Sequence, residues 1–406
     1  MCTYTRLLDR EVAVSTPAQL PFPQTDPLEL PTQLRALQSQ GPIHRVRTPA
    51  GDEAWLVTGY AEVRGLLDDD RLGRAHRNPD AAARIGESAL FGGPLGNFDT
   101  EETDHARMRS LLQPHFSPRH LRTLAPRVEE LTGELLDNLA REGPPADLHA
   151  KLAVPLPILV ICELLGVPYC DRDQFRGWTQ DTANVCDHAR SQRGLAELFG
   201  YSLKLVEHKR GLPGDDVISR LCLTPGVSDA EAALLSMALL FAGHETTVVA
   251  IGLGALLLLT NADQWRALAD NPGLIPAAVE ELLRAAAFGG GIGGIPRYAR
   301  TDFDIDGVAI HAGDLVVLDI GSANHDPTVF SPPERLDIAR TQAPHLTFGY
   351  GARYCIGAPL ARIELKTVFA QLIPRFPSMH LAVDPATLTV RSDVLAGGLV
   401  ELPVSW

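Results

Sequence analysis

The sequence predicts a mainly α-helical fold with a small β region, on the strength of three observations. Apolar residues recur at helical spacing through most of 102–371, punctuated by Pro114, Pro118, Gly143-Pro144-Pro145, Pro168, Pro213, Pro225, Asn271-Pro272 and Pro276. Short runs of strand alternation lie toward both ends of the chain. One stretch, 237–260 (MALLFAGHETTVVAIGLGALLLLT), is apolar all round, as a helix in the middle of a large protein must be.

In chain order, a proline-rich arm (1–30) precedes a helix that runs to Gln40. IHRVRT and EAWLVTG read as two short strands joined through the turn AGDE, with a helix from Ala61. Residues 71–98 are rich in glycine, proline and alanine and have no clear period. A long irregular connection of this kind in a compact domain is usually functional. After the helical body, FDIDGVAIHAGDLVVLDIG (303–321) switches to strand alternation with glycine turns, and MHLAVDPATLTVRSDVLAGGLVELPVSW reads as short strands again. No internal repeat interrupts this order, so residues 1–406 are expected to form a single domain.

A formal net charge of -14 disfavours nucleic acid as a partner, because nothing supplies the basic surface that phosphate neutralisation requires. The six cysteines form no CxxC pair and have no regular spacing, which fits neither a disulfide scaffold nor a cysteine zinc site. The N-terminus has no apolar core of signal-peptide length, and the expectation is a cytoplasmic, reduced protein. The apolar stretch 237–260 is long enough to span a membrane. However, His244 and Glu245 lie inside it and its flanks are acidic, so a buried helix is expected and no membrane contact.

The stretch FGYGARYCIG (348–357) sets Cys355 among glycines, just before APLARIELKTVFAQLIPRF, which reads as a helix from about Gly357 to Ile373. At a helix N-terminus, backbone N–H groups and the positive dipole end favour a thiolate. Gly349 and Gly351 let the backbone curl around the sulfur. Such a thiolate is either a nucleophile, which needs a histidine base, or a metal ligand, for which Phe348 supplies an apolar lid.

FGYGARYCIGAPLAR closely resembles the haem-binding loop of the cytochrome P-450 superfamily, FGxG-x-[HR]-x-C-x-G followed by a helix with LAR. The resemblance implies that Cys355 is the axial thiolate of haem b and that Arg353 meets a haem propionate. AGHETT (242–247) is similar to the family's AGx[DE]T[TS]. There Thr246 and Glu245 form the alcohol–acid pair that holds water and passes protons during oxygen activation, and Ala242–Gly243 leave room for oxygen. The zinc-protease pattern HExxH is excluded, since Val248 stands where its second histidine belongs. In DHARMR, His105 and Arg109 lie four apart on one helix face. They match the family's propionate-binding HxxxR, and Arg297 in PRYAR matches a further propionate ligand. EELLR supplies Glu281 and Arg284, the ExxR pair. Its third member is expected to be Arg335, with Arg340 as the alternative.

The resemblance covers essentially the whole chain and implies the triangular prism fold of these enzymes. It points to a soluble bacterial type from secondary metabolism, of the kind found in actinobacteria, that inserts one oxygen atom from O2 into an unactivated bond. Electrons would come from NAD(P)H through ferredoxin reductase and ferredoxin, and a monomer is expected. Arg107, Arg119, Arg122, Arg353, Arg362 and Lys366 form a candidate basic face for an acidic ferredoxin. The glycine-rich AAAFGGGIGGIP (285–296) suggests a roomy site for a sizeable, mostly apolar small molecule such as a polyketide, peptide or terpenoid. Phe98, Ile292 and Leu395 are candidate pocket residues. The alternatives are oxidative coupling or peroxide-dependent chemistry on the same fold and, in another class, a haem- or ligand-binding protein without turnover.

Overall fold

Short β1 (Ala18–Gln19) and α1 (Thr32–Gln38) lead into β2 (Ile43–Arg47) and β3 (Glu53–Val57) in the computed structural model, which describes residues 17–286, 294–341 and 344–406. β2 and β3 pair antiparallel, with Arg45 opposite Trp55, and α2 (Tyr60–Leu67) follows. β4 (Leu72–Gly73) then returns to the same sheet, whose order is β1-β2-β3-β9-β6-β4. The last two partners come from late in the chain: β6 (Ile295–Ala299) and β9 (Leu315–Leu318), with the β7 (Phe303–Ile305) and β8 (Val308–Ile310) hairpin between them. All four residues of β9 are buried, as expected of a strand in the middle of a covered sheet. A second sheet joins β10 (His380–Leu381) and β11 (Pro403–Ser405) to β5 (Ala146–Asp147). That mid-chain strand is too short to leave a sequence pattern.

The helical body begins with α3 (Glu101–Leu112), whose first turn carries Glu101, Glu102 and Asp104, where the helix dipole favours acids. α4 (Pro118–Glu142) has proline at its start and is capped by Ser117, whose Oγ accepts the His120 N–H. α5 (Pro155–Leu165) and α6 (Arg172–Thr182) follow. α7 (His188–Gly211), α8 (Val217–Leu223) and α9 (Asp229–Ala242) are capped by Asp187, Asp216 and Ser228. Then come α10 (Glu245–Thr260), α11 (Ala262–Asp270), α12 (Ile275–Ala285), α13 (Ile320–Asn324) and α14 (Ala358–Arg375).

The apolar stretch 237–260 is two helices, not one. Together they are long and apolar enough by composition to cross a membrane, but every residue of α10 from Thr247 to Leu258 is buried inside the protein. α10 packs against α5, α9, α11, α12 and α14. The approach of α14 is close: a Cβ on Gly254 would lie 3.0 Å from Phe369 Cζ. The helix that follows Cys355 is thereby seated directly on the helix that follows AGHETT.

Candidate active site

Cys355 sits where a tight loop becomes α14. The Gly349 N–H donates to the Leu346 carbonyl at 2.7 Å and the Cys355 N–H to the Phe348 carbonyl at 2.8 Å. Gly351 has φ 70, and a Cβ there would collide with the Asp68 carboxylate, so only glycine fits. The backbone N–H groups of Gly357 and Ala358, at the start of α14, favour the charged form of the sulfur, and a Cβ on Gly357 would lie 3.8 Å from it. Enclosure by protein pushes the thiol up, and those two donors with Arg109 and Arg362 pull it back part of the way. A bound metal would complete the deprotonation. The Cys355 side chain remains accessible, whereas Cys162 and Cys222 are buried. The Phe348 ring lies under the Arg362 guanidinium, 4.5 Å from ring centre to Cζ.

The break between α9 and α10 falls on Gly243-His244, inside AGHETT. A Cβ on Gly243 would lie 2.5 Å from Ile161 Cδ1 and 2.7 Å from the Leu239 carbonyl oxygen. His244 leaves helical geometry at φ -126, and its ring Nδ1 takes the Leu240 carbonyl at 2.9 Å. The ring does the work of the missing helical amide by donating through Nδ1, and it can donate through Nε2 as well only as an imidazolium. Its Nε2 lies 3.3 Å from Glu245 Oε1. Burial raises the Glu245 carboxyl, but the hydrogen bond and charge of His244, with Arg391 and Arg176, outweigh it and hold the group below its ordinary value. Thr246 and Ala242, on either side of the break, are exposed, and Thr246 Oγ1 donates to the Ala242 carbonyl at 3.4 Å.

Near the Cys355 loop, cations gather in excess of acids. Burial and the charges of Arg353 and Arg109 push the His105 imidazole down. Arg297 is 8% exposed, and among the described residues its side chain bonds only the carbonyl of Pro296. Burial and the repulsion of Arg74 and Arg353 lower its pKa to about 9. Arg109 donates to the Tyr354 carbonyl at 2.8 Å. The buried carboxylate of Glu101 takes Arg353 at 2.8 Å and Arg300 at 3.2 Å, and among the described residues no acid pairs with Arg297 or Arg109. A buried and a half-buried guanidinium with no counter-ion among the described residues call for carboxylates from a bound group.

A family model described as Cytochrome P450 matches residues 263–386. Over 396 residues the chain is 44% identical to the pentalenolactone synthase of Streptomyces exfoliatus, covering 96% of this chain and 99% of that protein. The chain is a cytochrome P450. Its fold matches the crystal structure of the putative thioether synthase SgvP, involved in the tailoring step of griseoviridin, at TM-score 0.90 and 34% identity, over 97% of this chain and 100% of that one. It matches the pimaricin epoxidase PimD, which acts on a polyene macrolide antibiotic, at TM-score 0.85 and 41% identity, again over 97% and 100%.

P450s are monooxygenases that use haem and O2, and the residues present here fit a haem. An accessible cysteine sulfur sits at the start of α14, where two backbone N–H groups favour its charged form, and among the described residues the cations near it outnumber the acids. When bound, the haem supplies the redox and oxygen chemistry. Cys355 would bind its iron, and His105, Arg109 and Arg297 would hold its propionates. Arg353, expected among these, is already paired with Glu101 and Glu102, at 2.8 and 3.0 Å.

The ExxR network of this P450 departs from the expectation in one member. Arg284 grips Glu281 in a fork, Nε to Oε2 at 2.7 Å and Nη2 to Oε1 at 2.8 Å, with both side chains at most 3% exposed. The third side chain is Arg340, Nε to Glu281 Oε1 at 3.0 Å, and not Arg335. The turn that bonds the Arg340 N–H to the Asp337 carbonyl leaves Arg335 exposed, and only its carbonyl faces the network, accepting from Arg340 at 2.8 Å.

Of the pocket candidates, Phe98 packs beneath the guanidiniums of Arg300 and Arg77, at 4.2 and 5.0 Å. That placement accounts for it without a substrate. Leu395 is half-buried, and its N–H donates to the Ala183 carbonyl at the end of α6 at 3.1 Å. Ile292 lies outside the described residues. The aromatic pair that sequence reasoning missed is Phe91 stacked on Phe241, at 5.7 Å and 26°, with Phe241 immediately before Ala242. Glu101 and Arg74 were missed too. One hid in an acidic run and the other in a segment without a period.

The basic face is also smaller than its sequence suggested. Arg107 pairs with Glu231 at 2.6 Å, Arg362 with Glu280 at 2.8 Å, and Arg353 with Glu101 and Glu102. Among the described residues no ion pair involves Arg119, Arg122 or Lys366, and the two arginines are exposed.

Proposed function

We propose that this P450 inserts one atom of O2, by hydroxylation or epoxidation, into a sizeable, mostly apolar natural product of polyketide, peptide or terpenoid type. Electrons come from NAD(P)H through ferredoxin reductase and ferredoxin. The observation that carries the reading is the break at Gly243-His244, where Thr246 is exposed next to Ala242 while Glu245 is held ionised by His244. An exposed hydroxyl beside a buried, ionised acid can hold water and relay protons from the interior to a reacting centre. The relatives named above include a pimaricin epoxidase and a pentalenolactone synthase, and both names point to natural-product tailoring.

The test is a screen of such compounds with a ferredoxin, its reductase and NADPH, comparing the parent with Thr246→Ala. Oxygenated product from the parent is expected, and in the variant NADPH consumption that continues with product cut about tenfold or more. Product formation that survives unchanged in the variant, or that runs only on peroxide, would overturn the reading.

A further inference from the structure

Arg74 follows β4 directly, and its main chain is clamped on both sides. Its N–H donates to Glu101 Oε1 at 2.8 Å, and its carbonyl accepts from the Leu95 N–H at 2.9 Å. The guanidinium at the end of the side chain has far less. Nη2 reaches the Leu90 carbonyl at 3.5 Å, the limit of a hydrogen bond, and Cζ lies 4.8 Å from the centre of the Phe91 ring. No carboxylate pairs with it among the described residues, because Glu101 spends its oxygens on Arg353, Arg300 and two backbone amides. Enclosure lowers its pKa to about 10, with Glu101 opposing and Arg353 assisting. A guanidinium on a clamped main chain, without an acid among the described residues, is a binding group in want of an anion.

The contacts of Arg74 lead toward the distal helix. Phe91, under its guanidinium, stacks on Phe241, and Phe241 adjoins Ala242 at the helix break. Arg74 thus lies between the cation cluster, where its charge is felt at Arg297, and the aromatic pair that adjoins Ala242. One convergent charge in apolar surroundings is the usual make-up of an oriented ligand site.

We propose that Arg74 is a carboxylate receptor, and that the carboxylate belongs to the substrate: an apolar molecule carrying one acidic group, anchored by Arg74 with its hydrocarbon body along Phe91 and Phe241. This deepens the monooxygenase reading and rests on it. The other source of the same chemistry is a haem propionate. His105, Arg109 and Arg297 would already serve those acids, and Arg74 belongs to the irregular 71–98 connection, a kind of segment that is usually functional.

The experiment uses the haem-loaded protein and a ladder of ω-imidazolyl alkanoic acids with their methyl esters, followed by Soret titration. The imidazole binds the iron directly, so every probe reports its affinity whether or not it is a substrate. The parent should bind the acid at least tenfold tighter than its ester at one chain length. Arg74→Gln should lose that preference and Arg74→Lys keep part of it. Equal affinity for acid and ester at every length in the parent overturns the proposal and leaves the haem-thiolate reading standing. Transfer of haem to apomyoglobin separates the two sources. If Arg74→Gln loses haem about tenfold faster while keeping the acid preference, Arg74 serves a propionate and the substrate assignment falls. If no probe moves the Soret band, the haem-thiolate reading falls and takes the proposal with it.

Discussion

Arg353 Nη2 lies 2.8 Å from Glu101 Oε1, and the two side chains are 17% and 7% exposed. Through this pair the loop that carries Cys355 is fastened to the first turn of α3, the helix that bears His105 and Arg109. Glu101 also takes Arg300, from the residue after β6, and the N–H groups of Arg74 and Ala75, after β4. One carboxylate therefore sets the relative positions of the segments that surround the cation cluster.

Glu101→Gln should accordingly do two things. Removing one partner of a buried ion pair leaves the other unpaired, so stability should fall by about 3 kcal/mol in urea unfolding. The surplus positive charge should also disturb the alignment of Arg353 and Arg297 and speed haem transfer to apomyoglobin. Glu101→Asp should be intermediate. A Gln variant with parental stability and haem retention would show that the pair only decorates the surface of the loop.

The Glu281 network makes a sharper comparison, because two arginines five residues apart use different atoms. Arg340→Ala removes a guanidinium 7% exposed against a Glu281 that is 3% exposed. It should cost about 2 kcal/mol, less than a full unpairing because Arg284 still holds the carboxylate. Arg335→Ala leaves its carbonyl in place and should stay within about 0.5 kcal/mol of the parent. Urea midpoints of the two variants decide the matter, and equal losses would contradict the assignment.

Neither choice between those arginines was open to the sequence, since a one-turn difference at Asp337 decides which side chain points inward. Helix and strand periods were legible wherever an element was long enough to repeat. β2, β3 and α14 appear within about two residues of where the pattern placed them, while β5, two residues long, left no pattern. The motifs located Cys355 and AGHETT, but nothing local announces the helix break, which comes from the ring of His244 and the approach of Ile161. Glu101 is one of four acids in DTEETD before His105 that look alike until tertiary packing buries one. Arg107 and Arg362 looked free because their acids, Glu231 and Glu280, lie far along the chain.

Glu280 also gives a pH dependence with a definite sign. Burial raises its carboxyl, but hydrogen bonds and charge from Arg362 and His345 outweigh that and lower it from 4.5 to about 2. Over that interval the unfolded chain binds a proton that the folded protein refuses. The stabilisation is therefore complete above about pH 4.5 and drains away as pH falls toward 2. The carboxylate is 41% exposed, so solvent screens much of the effect. Urea midpoints measured from pH 6 to 3 should fall less steeply for Glu280→Gln than for the parent. Parallel slopes would remove Glu280 from the acid limb.

The reduced basic face leads to the last prediction. Arg119, Arg122 and Lys366 are the cations of that group without an ion pair among the described residues, so they present charge that an incoming acidic protein can use. Arg107 is answered by Glu231 and presents almost none. Long-range attraction acts on the rate of encounter and fades as salt shortens its reach to about 10 Å at 0.1 M. Arg122→Glu and Lys366→Glu should therefore slow ferredoxin-supported turnover by about tenfold at low ionic strength and less at high salt. Peroxide-supported turnover, which needs no protein partner, should hold at the parental rate. Arg107→Gln should leave both rates unchanged. Equal loss in the two assays would mean that the reversals damage the Cys355 side of the protein itself, and a ferredoxin rate insensitive to both reversals would place the electron donor on another face.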